Sequence, residues 1–466
     1  MSGMCPQKLS AVGELLGEHL GLRFTPDRRE LERALARAAT DAGFERPDSY
    51  VDHILERGMD EGRIRSLAWH LTVGETYFFR GDAAFALLEC DILPGIIAAR
   101  RRGSRQLRIW SAGCASGEEP YSLAIVLCRL LPDIDDWRIT ILGTDLNTRA
   151  LAKAERGDYG EWSFRDVQPA VREQCFTRAG EKGWGVKPRI RRMVDFSYLN
   201  LATGAYPALA TNTTAMDVIL CRNVLMYLQP DVIKSVVGRL HGALVDGGCL
   251  LVTPSEASPE YFPQFARRMD RGEIYFKKEA AAAESPAARV KARPAAPVAK
   301  RPSPPAARRV VHGPDIAGSR SDSPPAPEQA PGEAARLAEA ARGAANRGDL
   351  EEALSACERA AAADKYSAEL WYLRATILDE LARPQDALQA LRSSLYLDAD
   401  LVVAHFLLGS IARREGRCGV AIRHLQRALE LLRGLAPDEL VPAADGLTAS
   451  ELARIAQALV AMEVTA

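Results

Sequence analysis

No stretch of the chain approaches the roughly 18 to 20 uncharged apolar residues that a bilayer-spanning helix needs, and no apolar run follows a basic flank between Met1 and Ser10. The expectation is a cytoplasmic protein with no membrane insertion. Net charge is nearly absent as well, since 60 Lys and Arg face 61 Asp and Glu. No global field draws the chain toward nucleic acid or a membrane surface, so an electrostatic partner must be met by a local patch. Cysteine is sparse and unpatterned. Cys5, Cys90, Cys114, Cys128, Cys175, Cys221, Cys249, Cys357 and Cys418 show no C-x-x-C spacing and no neighbouring His cluster. That set predicts reduced thiols and no metal site.

Aromatic and large aliphatic residues all but vanish between Glu279 and Gly332, where 11 of the 27 prolines fall among Ala, Arg and Ser. Such a composition cannot bury a core. It predicts a linker over 279–332, semi-extended at up to about 3.1 Å per residue where it is polyproline-like. With 466 residues, 47% hydrophobic and 26% charged, the chain is too long for one core and divides into folded regions on either side of this linker.

Downstream, shifting the chain by 34 residues aligns Ala353, Ala387 and Ala421, then Ala341, Ala375 and Gly409, then Ala360, Ser394 and Ala428. Small residues recur where paired helices must approach closely, and the larger positions Leu337 with Trp371 and Leu391 with Leu425 keep the same register. Three helix-turn-helix units over 333–434 follow. The period and pattern resemble the tetratricopeptide repeat, although the proline usual near the end of each unit is missing. Such repeats bind a protein partner, here unknown, and do no chemistry themselves. Thr448 to Met462 is apolar at helical spacing and predicts a capping helix within 435–466.

Upstream, residues 1–85 read as helical, with Thr25-Pro26 supplying an N-cap and first-turn proline before Asp27 to Ala39. From about Gln106 short apolar runs (Leu107 to Ser111, Ile139 to Leu142, Asp217 to Cys221, Cys249 to Thr253) alternate with helical stretches such as Glu119 to Leu130 and Asp231 to Leu244. This rhythm predicts a doubly wound, Rossmann-like α/β domain over 86–278. A Gly-rich turn at Ala179 to Gly183 suggests a small antiparallel β insertion over 173–196.

The loop Ser111-Ala112-Gly113-Cys114-Ala115-Ser116-Gly117-Glu118-Glu119-Pro120-Tyr121-Ser122 follows the first strand and opens a helix. Gly113 and its small neighbours let the backbone approach a ligand, and Glu118 stands where the helix begins. Nucleotide-binding and purely structural glycine turns look alike here. Two carboxylates nevertheless oppose a phosphate and suit a nucleoside bearing a cationic sulfonium. The second strand ends in Gly143-Thr144-Asp145, where a carboxylate is placed to accept two ribose hydroxyls; alone, Asp145 could equally be a helix N-cap. Loop and Asp145 together favour the nucleoside.

Three further segments stand in order: Gly74-Glu75-Thr76-Tyr77-Phe78-Phe79-Arg80, Asn200-Leu201, and Cys221-Arg222-Asn223-Val224-Leu225-Met226-Tyr227. With the loop they resemble the CheR family of chemoreceptor methyltransferases, in order from about Leu16 to Lys278. The resemblance implies S-adenosyl-L-methionine as cofactor, S-adenosyl-L-homocysteine as product, and protein-glutamate O-methylation as activity. It implies that Thr76, Arg80, Glu118, Asp145, Asn200 and Leu201 line the cofactor pocket, with Arg222 and Asn223 completing its floor. Arg80 is the natural bidentate partner for the methionine carboxylate, whereas Phe78 and Phe79 read as core. Gly74 departs from the family's usual Asn, so a polar contact to the cofactor is either missing or supplied by Glu75.

An acceptor carboxylate is already ionised near neutral pH, so no catalytic base or triad is expected. Tyr227 stands near the mouth by motif position, either orienting the acceptor or holding structure. Arg29, Arg33 and Arg37 at i, i+4 and i+8 make a basic stripe, either a solvated face or a docking face. The family's N-terminal helices contact the acidic, helical cytoplasmic methylation region of methyl-accepting chemoreceptors. In some relatives the small β insertion grips a receptor tail peptide. A rival reading keeps cofactor binding, loses turnover and assigns function to the repeats as a scaffold. Nucleic-acid methylation is disfavoured, because Cys221-Arg222-Asn223-Val224 stands where an Asn/Asp-Pro-Pro-Tyr motif belongs.

Overall fold

The computed structural model describes residues 4–23, 29–59, 61–72, 74–180, 183–279 and 332–465. The Thr25-Pro26 helix start, Glu181 and Lys182 of the insertion turn, and linker residues 280–331 lie outside the described residues.

Four helices come first: α1 (Pro6–Leu20), α2 (Arg29–Asp41), α3 (Pro47–Arg57) and α4 (Glu61–Leu71). Proline opens α1 and α3, where its missing N–H is no loss, and Gly21 at φ 67° closes α1 in the left-handed region. Leu9, Val12, Leu16 and Leu20 recur at helical spacing and pack into one core with Leu31, Leu35, Val51, Ile54 and Leu67. This leaves the opposite face of α2, with Arg29, Arg33 and Arg37, exposed.

α5 (Asp82–Leu87) runs through a π turn at Leu88–Ile92 into α6 (Leu93–Arg101). Then follow β1 (Gln106–Ala112), α7 (Glu118–Leu130), β2 (Arg138–Asp145), α8 (Thr148–Arg156), β3 (Asp158–Gly160), α9 (Pro169–Cys175), β4 (Phe176–Ala179), β5 (Gly183–Val186), α10 (Pro188–Arg191), β6 (Val194–Tyr198), β7 (Met216–Leu220), α11 (Pro230–Ala243), β8 (Leu244–Leu251), β9 (Ala266–Asp270) and β10 (Glu273–Lys277). The main sheet has the order β6-β2-β1-β7-β8-β10-β9. Its first five strands are parallel and the β9-β10 hairpin closes it antiparallel. β1 is central and buried along its whole length, with Leu107 and Ile109 in the core on one face and Trp110 and Ala112 in the core on the other. The chain builds β1, β2 and β6 outward on one side and then crosses back to β7. The strand order therefore reverses between β1 and β7, which is where an open α/β sheet leaves a crevice at its carboxyl edge.

The insertion differs from its expected span of 173–196. It is a three-stranded sheet, β3-β5-β4, that already begins at Asp158, and residues 194–198 form the edge strand of the main sheet instead. Val194, Phe196 and Tyr198 are buried while Asp195 and Ser197 are only half-buried. Such alternation specifies a strand but not the sheet it joins.

The C-terminal region is helical: α12 (Glu333–Arg347), α13 (Leu350–Ala363), α14 (Ala368–Glu380), α15 (Pro384–Leu397), α16 (Val402–Arg414), α17 (Cys418–Leu432) and α18 (Ala449–Thr465). α13, α15 and α17 start at Leu350, Pro384 and Cys418, 34 residues apart. The small residues in register, Ala353, Ala387 and Ala421, then Ala360, Ser394 and Ala428, are fully buried. At Gly409 an added methyl would lie 2.7 Å from Leu425 Cγ, so the α16 backbone there packs directly against the Leu425 side chain of α17. This arrangement fits tetratricopeptide-type repeats.

The sequence places the repeats beyond a linker as a separate docking module, yet residues 1–279 and 333–466 form one compact unit. The contact lies toward the amino ends of the strands and along the outer edge of β6. Arg413 of α16 pairs with Glu155 of α8 and donates to the Phe196 carbonyl on β6 at 2.7 Å. An otherwise open strand edge is capped in this way. Arg108 of β1, held by the Asn212 and Thr214 carbonyls, lies 3.7 Å from Glu380 of α14. Between α17 and α18, Val441, Ala444 and Leu447 are buried in the core of the repeats. Asp445 faces Arg342 of α12 at 3.7 Å and accepts from the Leu209 N–H at 3.1 Å.

Candidate active site

Three loops meet at the carboxyl ends of β1, β2 and β7. Gly113 takes φ +86°, and its N–H and that of Cys114 donate to the Thr144 carbonyl at 2.7 and 2.9 Å. A methyl on Gly113 would stand 2.4 Å from Val224, so only glycine lets the β1 loop meet the β7 loop at the switch point. Asp145 closes the other side. One carboxylate oxygen accepts from the Ala115 N–H at 2.8 Å and the other from Asn147 N–H at 2.8 Å. Burial raises its pKa, partly opposed by these backbone N–H groups. Asn147, rather than Asp145, is the N-cap of α8, since its side chain accepts from Ala150 N–H at 3.1 Å. The capping alternative for Asp145 is thereby set aside.

Glu118 is buried, 1% exposed, and accepts from Ser116 Oγ at 2.7 Å and Ser163 Oγ at 3.0 Å. Ser163 also accepts the Phe78 N–H through its carbonyl, and Ser122 Oγ receives the Phe79 N–H. The Thr76 to Arg80 segment is thus sewn to the β1 loop. Phe78 is fully buried against Tyr159, Phe164 and Phe176, as a core residue should be, while Phe79 packs half-buried against Phe85. Thr76 is half-buried, and Arg80, beside it, donates to the Glu75 carbonyl at 2.6 Å. Gly74 is exposed with open space about its Cα.

Arg222 is more deeply engaged than a pocket floor requires. Its guanidinium pairs with Glu119 at 3.1 Å and fills the space where Gly81 would carry a side chain. Glu119 in turn accepts from Ser111 Oγ at 2.8 Å. Asn223 sits at φ +58°, a conformation asparagine tolerates better than most residues.

The residues after β6 leave the same carboxyl edge, with the Leu199 N–H donating to the Asp145 carbonyl at 3.2 Å, and they also form a joint with the N-terminal helices. Asn200 donates to the His19 carbonyl at 3.0 Å and accepts from Ala202 N–H at 2.9 Å, and Leu201 is buried in the core beside α11. The Tyr227 carbonyl accepts from Arg23 N–H at 2.7 Å, Leu22 and Leu228 form an antiparallel bridge, and Gln229 N–H donates to Gly21 at 2.9 Å. Asn200 and Tyr227 therefore lie on the seam that fixes the N-terminal helices to the sheet, with the Tyr227 ring 38% exposed. Sequence reasoning passed over Ser163 and Glu256 and gave Glu119 no role beyond its charge, although a T-x-x-E capping pattern at Thr253 to Glu256 marks Glu256.

The donor set suits a nucleoside with a cationic centre: a glycine-lined approach, carboxylates at Glu118 and Asp145, and no phosphate-binding lysine in the loop. Cys114 and Cys221 are buried, and burial pushes both thiols well up, so neither is a thiolate that would compete for an electrophile.

Residues 74–269 match the family described as CheR methyltransferase, SAM binding domain. The chain is 35% identical over 195 residues to a probable chemotaxis protein methyltransferase of Rhizobium etli, covering 41% of this chain and 70% of that protein. The chain belongs to the CheR methyltransferase family. It is also 37% identical over 198 residues to chemotaxis protein methyltransferase 1 of Pseudomonas aeruginosa, covering 40% and 67% of the two chains. A longer CheR-type similarity, 29% identity over 413 residues, covers 85% of this chain and 92% of the probable biofilm formation methyltransferase WspC of the same organism. As a CheR methyltransferase the chain uses S-adenosylmethionine. Among the described residues no helix is long and apolar enough to cross a membrane.

Proposed function

We propose that the protein methylates glutamate side chains in the cytoplasmic helical region of methyl-accepting chemoreceptor-type proteins, with Thr76, Arg80, Gly113, Glu118, Asp145, Asn200, Leu201, Arg222 and Asn223 forming the cofactor site. The convergence of the β1, β2 and β7 loops at the switch point carries this reading, together with relatives that are named chemotaxis methyltransferases. The bound cofactor supplies an electrophilic methyl on a sulfonium. The chain's own residues position and exclude water: Asp145 is set to take the ribose hydroxyls, Glu118 the ammonium, and Arg80 the carboxylate. A glutamate oxygen needs no base to attack, and in this reading Tyr227 orients it. Free cysteines at all nine positions accord with a cytoplasmic setting. The division into 1–85, 86–278, a 279–332 linker, 333–434 and 435–466 remains our reading, with the repeats recruiting a protein partner.

The test is transfer of radiolabelled methyl from S-adenosylmethionine to a purified receptor cytoplasmic fragment, with a control fragment whose methylatable glutamates are alanine. Label only on the intact fragment, released by mild base, is expected. Cofactor binding without any transfer would favour the scaffold reading.

Arg29, Arg33 and Arg37 form an exposed stripe on α2, and Arg37 also reaches the His70 carbonyl at 3.4 Å. Changing all three to Gln is expected to raise KM for the receptor fragment about tenfold at low salt, leaving cofactor affinity unchanged. An unchanged KM would mean that the stripe is only solvated.

A further inference from the structure

Glu256 is a buried carboxylate, 5% exposed, in the short turn after β8. A capping box would account for its contacts with the Thr253 N–H at 3.0 Å and the Thr253 hydroxyl. It would not account for the other three. The Asn223 N–H donates to Glu256 Oε2 at 2.9 Å, and the Val224 and Met226 N–H groups donate to Oε1 at 2.7 and 3.3 Å. These donors lie 30 to 33 residues away in sequence, in the β7 loop.

Burying a carboxylate is costly unless donors surround it, and a turn of three residues does not call for one. The loop does. Asn223 is held at φ +58°, Val224 is pressed against Gly113 of the cofactor loop, and Tyr227 leads into the seam with the N-terminal helices. Each of these placements depends on how the backbone of residues 223–226 is turned, and Glu256 is the group that gathers its N–H groups. Arg222, locked to Glu119, holds the same loop by a side chain from the opposite flank. Two carboxylates from different elements thus clamp the segment that joins the cofactor loop to the acceptor rim.

We propose that Glu256 is a positioning residue for methyl transfer. It acts on the reacting groups through the backbone of the 223–226 loop and touches neither cofactor nor acceptor itself. This rests on the reading of that loop as part of the methyl-transfer site.

The test uses the full-length protein carrying Glu256→Gln. The amide keeps one acceptor but turns an NH₂ group toward N–H donors, so the loop shifts while the bulk of the fold has no reason to change. Expected are about a hundredfold loss in kcat/KM per folded molecule, weaker binding of S-adenosylhomocysteine by calorimetry, and a receptor-fragment KM close to that of the unaltered protein. Loss of activity that merely follows loss of folded protein, with cofactor affinity intact, would overturn the proposal. If Glu256→Gln does not fold, Glu256→Asp keeps the charge and shortens its reach, and an unimpaired kcat there would overturn it equally. Should the unaltered protein bind cofactor but methylate no receptor, the proposed function fails, whereas the calorimetric comparison still decides on Glu256.

Discussion

Asp145→Ala is expected to lower affinity for S-adenosylmethionine by about a hundredfold or more, and with it all methyl transfer. The carboxylate has two tasks. It holds the cofactor loop through the Ala115 N–H, at 2.8 Å, and it is placed to take the ribose hydroxyls. Hydrogen bonds to a charged group are worth about 1.5–3 kcal/mol each, so losing one to the loop and at least one to the ligand reaches that size. Calorimetry with S-adenosylhomocysteine measures it directly. A loss below about fivefold would remove Asp145 from the cofactor site.

The isosteric Asp145→Asn change removes the charge at constant size, although its NH₂ then meets one of the two N–H groups that the carboxylate accepts, so the change is read through its pH dependence. Burial raises the Asp145 pKa above its ordinary 3.8, so the fold favours the protonated form. Its contribution to stability is complete below the unfolded pKa and is lost as pH rises through the higher folded one. The ligand-free Asn variant should therefore gain in melting temperature relative to the unaltered protein from acid toward neutral pH, while binding cofactor poorly.

Removing residues 332–466 is expected to lower the melting temperature of what remains by about 10 °C and to promote aggregation, even when activity is assayed on an isolated receptor fragment. From the sequence alone a linker-borne module should be dispensable for chemistry. The structure argues otherwise, because α18 and Arg413 cover the outer edge of β6 and one apolar core runs into the repeats. Arg413→Ala probes this in the intact chain. Its partner Glu155 has a side chain only 17% exposed, and leaving it unpaired should cost about 3 kcal/mol. Burial already raises the Glu155 pKa above 4.5 and Arg413 opposes this, so without the arginine the shift grows. The variant should recover part of its stability on acidification toward that range, and a second change, Glu155→Gln, should restore much of it at neutral pH. Phe196 carries the effect further: its carbonyl is held by Arg413 while its ring lies where methyls on Gly143 and Gly117 would stand, at 2.8 and 3.0 Å. Weaker cofactor binding in Arg413→Ala would follow from that contact. A melting temperature unchanged by both alterations would show that the repeats only rest on the sheet.

Sequence pattern conveyed those parts of the molecule whose cause is local. The 34-residue spacing of Ala353, Ala387 and Ala421 reports helix pairs in close contact, and Gly113 reports a backbone approach, because in each case sterics leave few other residue types. The β6 strand was hidden, since Val194, Phe196 and Tyr198 alternate in the same way whether they join the insertion or the main sheet. The roles of Glu256 and Glu119 were hidden for a different reason. Their partners lie 30 to 33 and 103 residues away in sequence, and no periodicity connects a carboxylate with N–H groups at that distance. The bond from the Asn200 amide to the His19 carbonyl was hidden too, since it depends on where α1 comes to rest.

The segment from Val441 to Leu447 packs against the repeats from within the same chain, with Asp445 against Arg342 and the Leu209 N–H. A partner peptide reaching for that surface therefore meets a tethered rival. Short flexible tethers give effective concentrations in the millimolar range, so a peptide that binds isolated repeats at micromolar strength would look far weaker against the whole protein. If the repeats recruit a partner through this surface, as proposed, screens made with the intact chain will under-report it. Weakening the rival by Asp445→Ala would bring such binders into view.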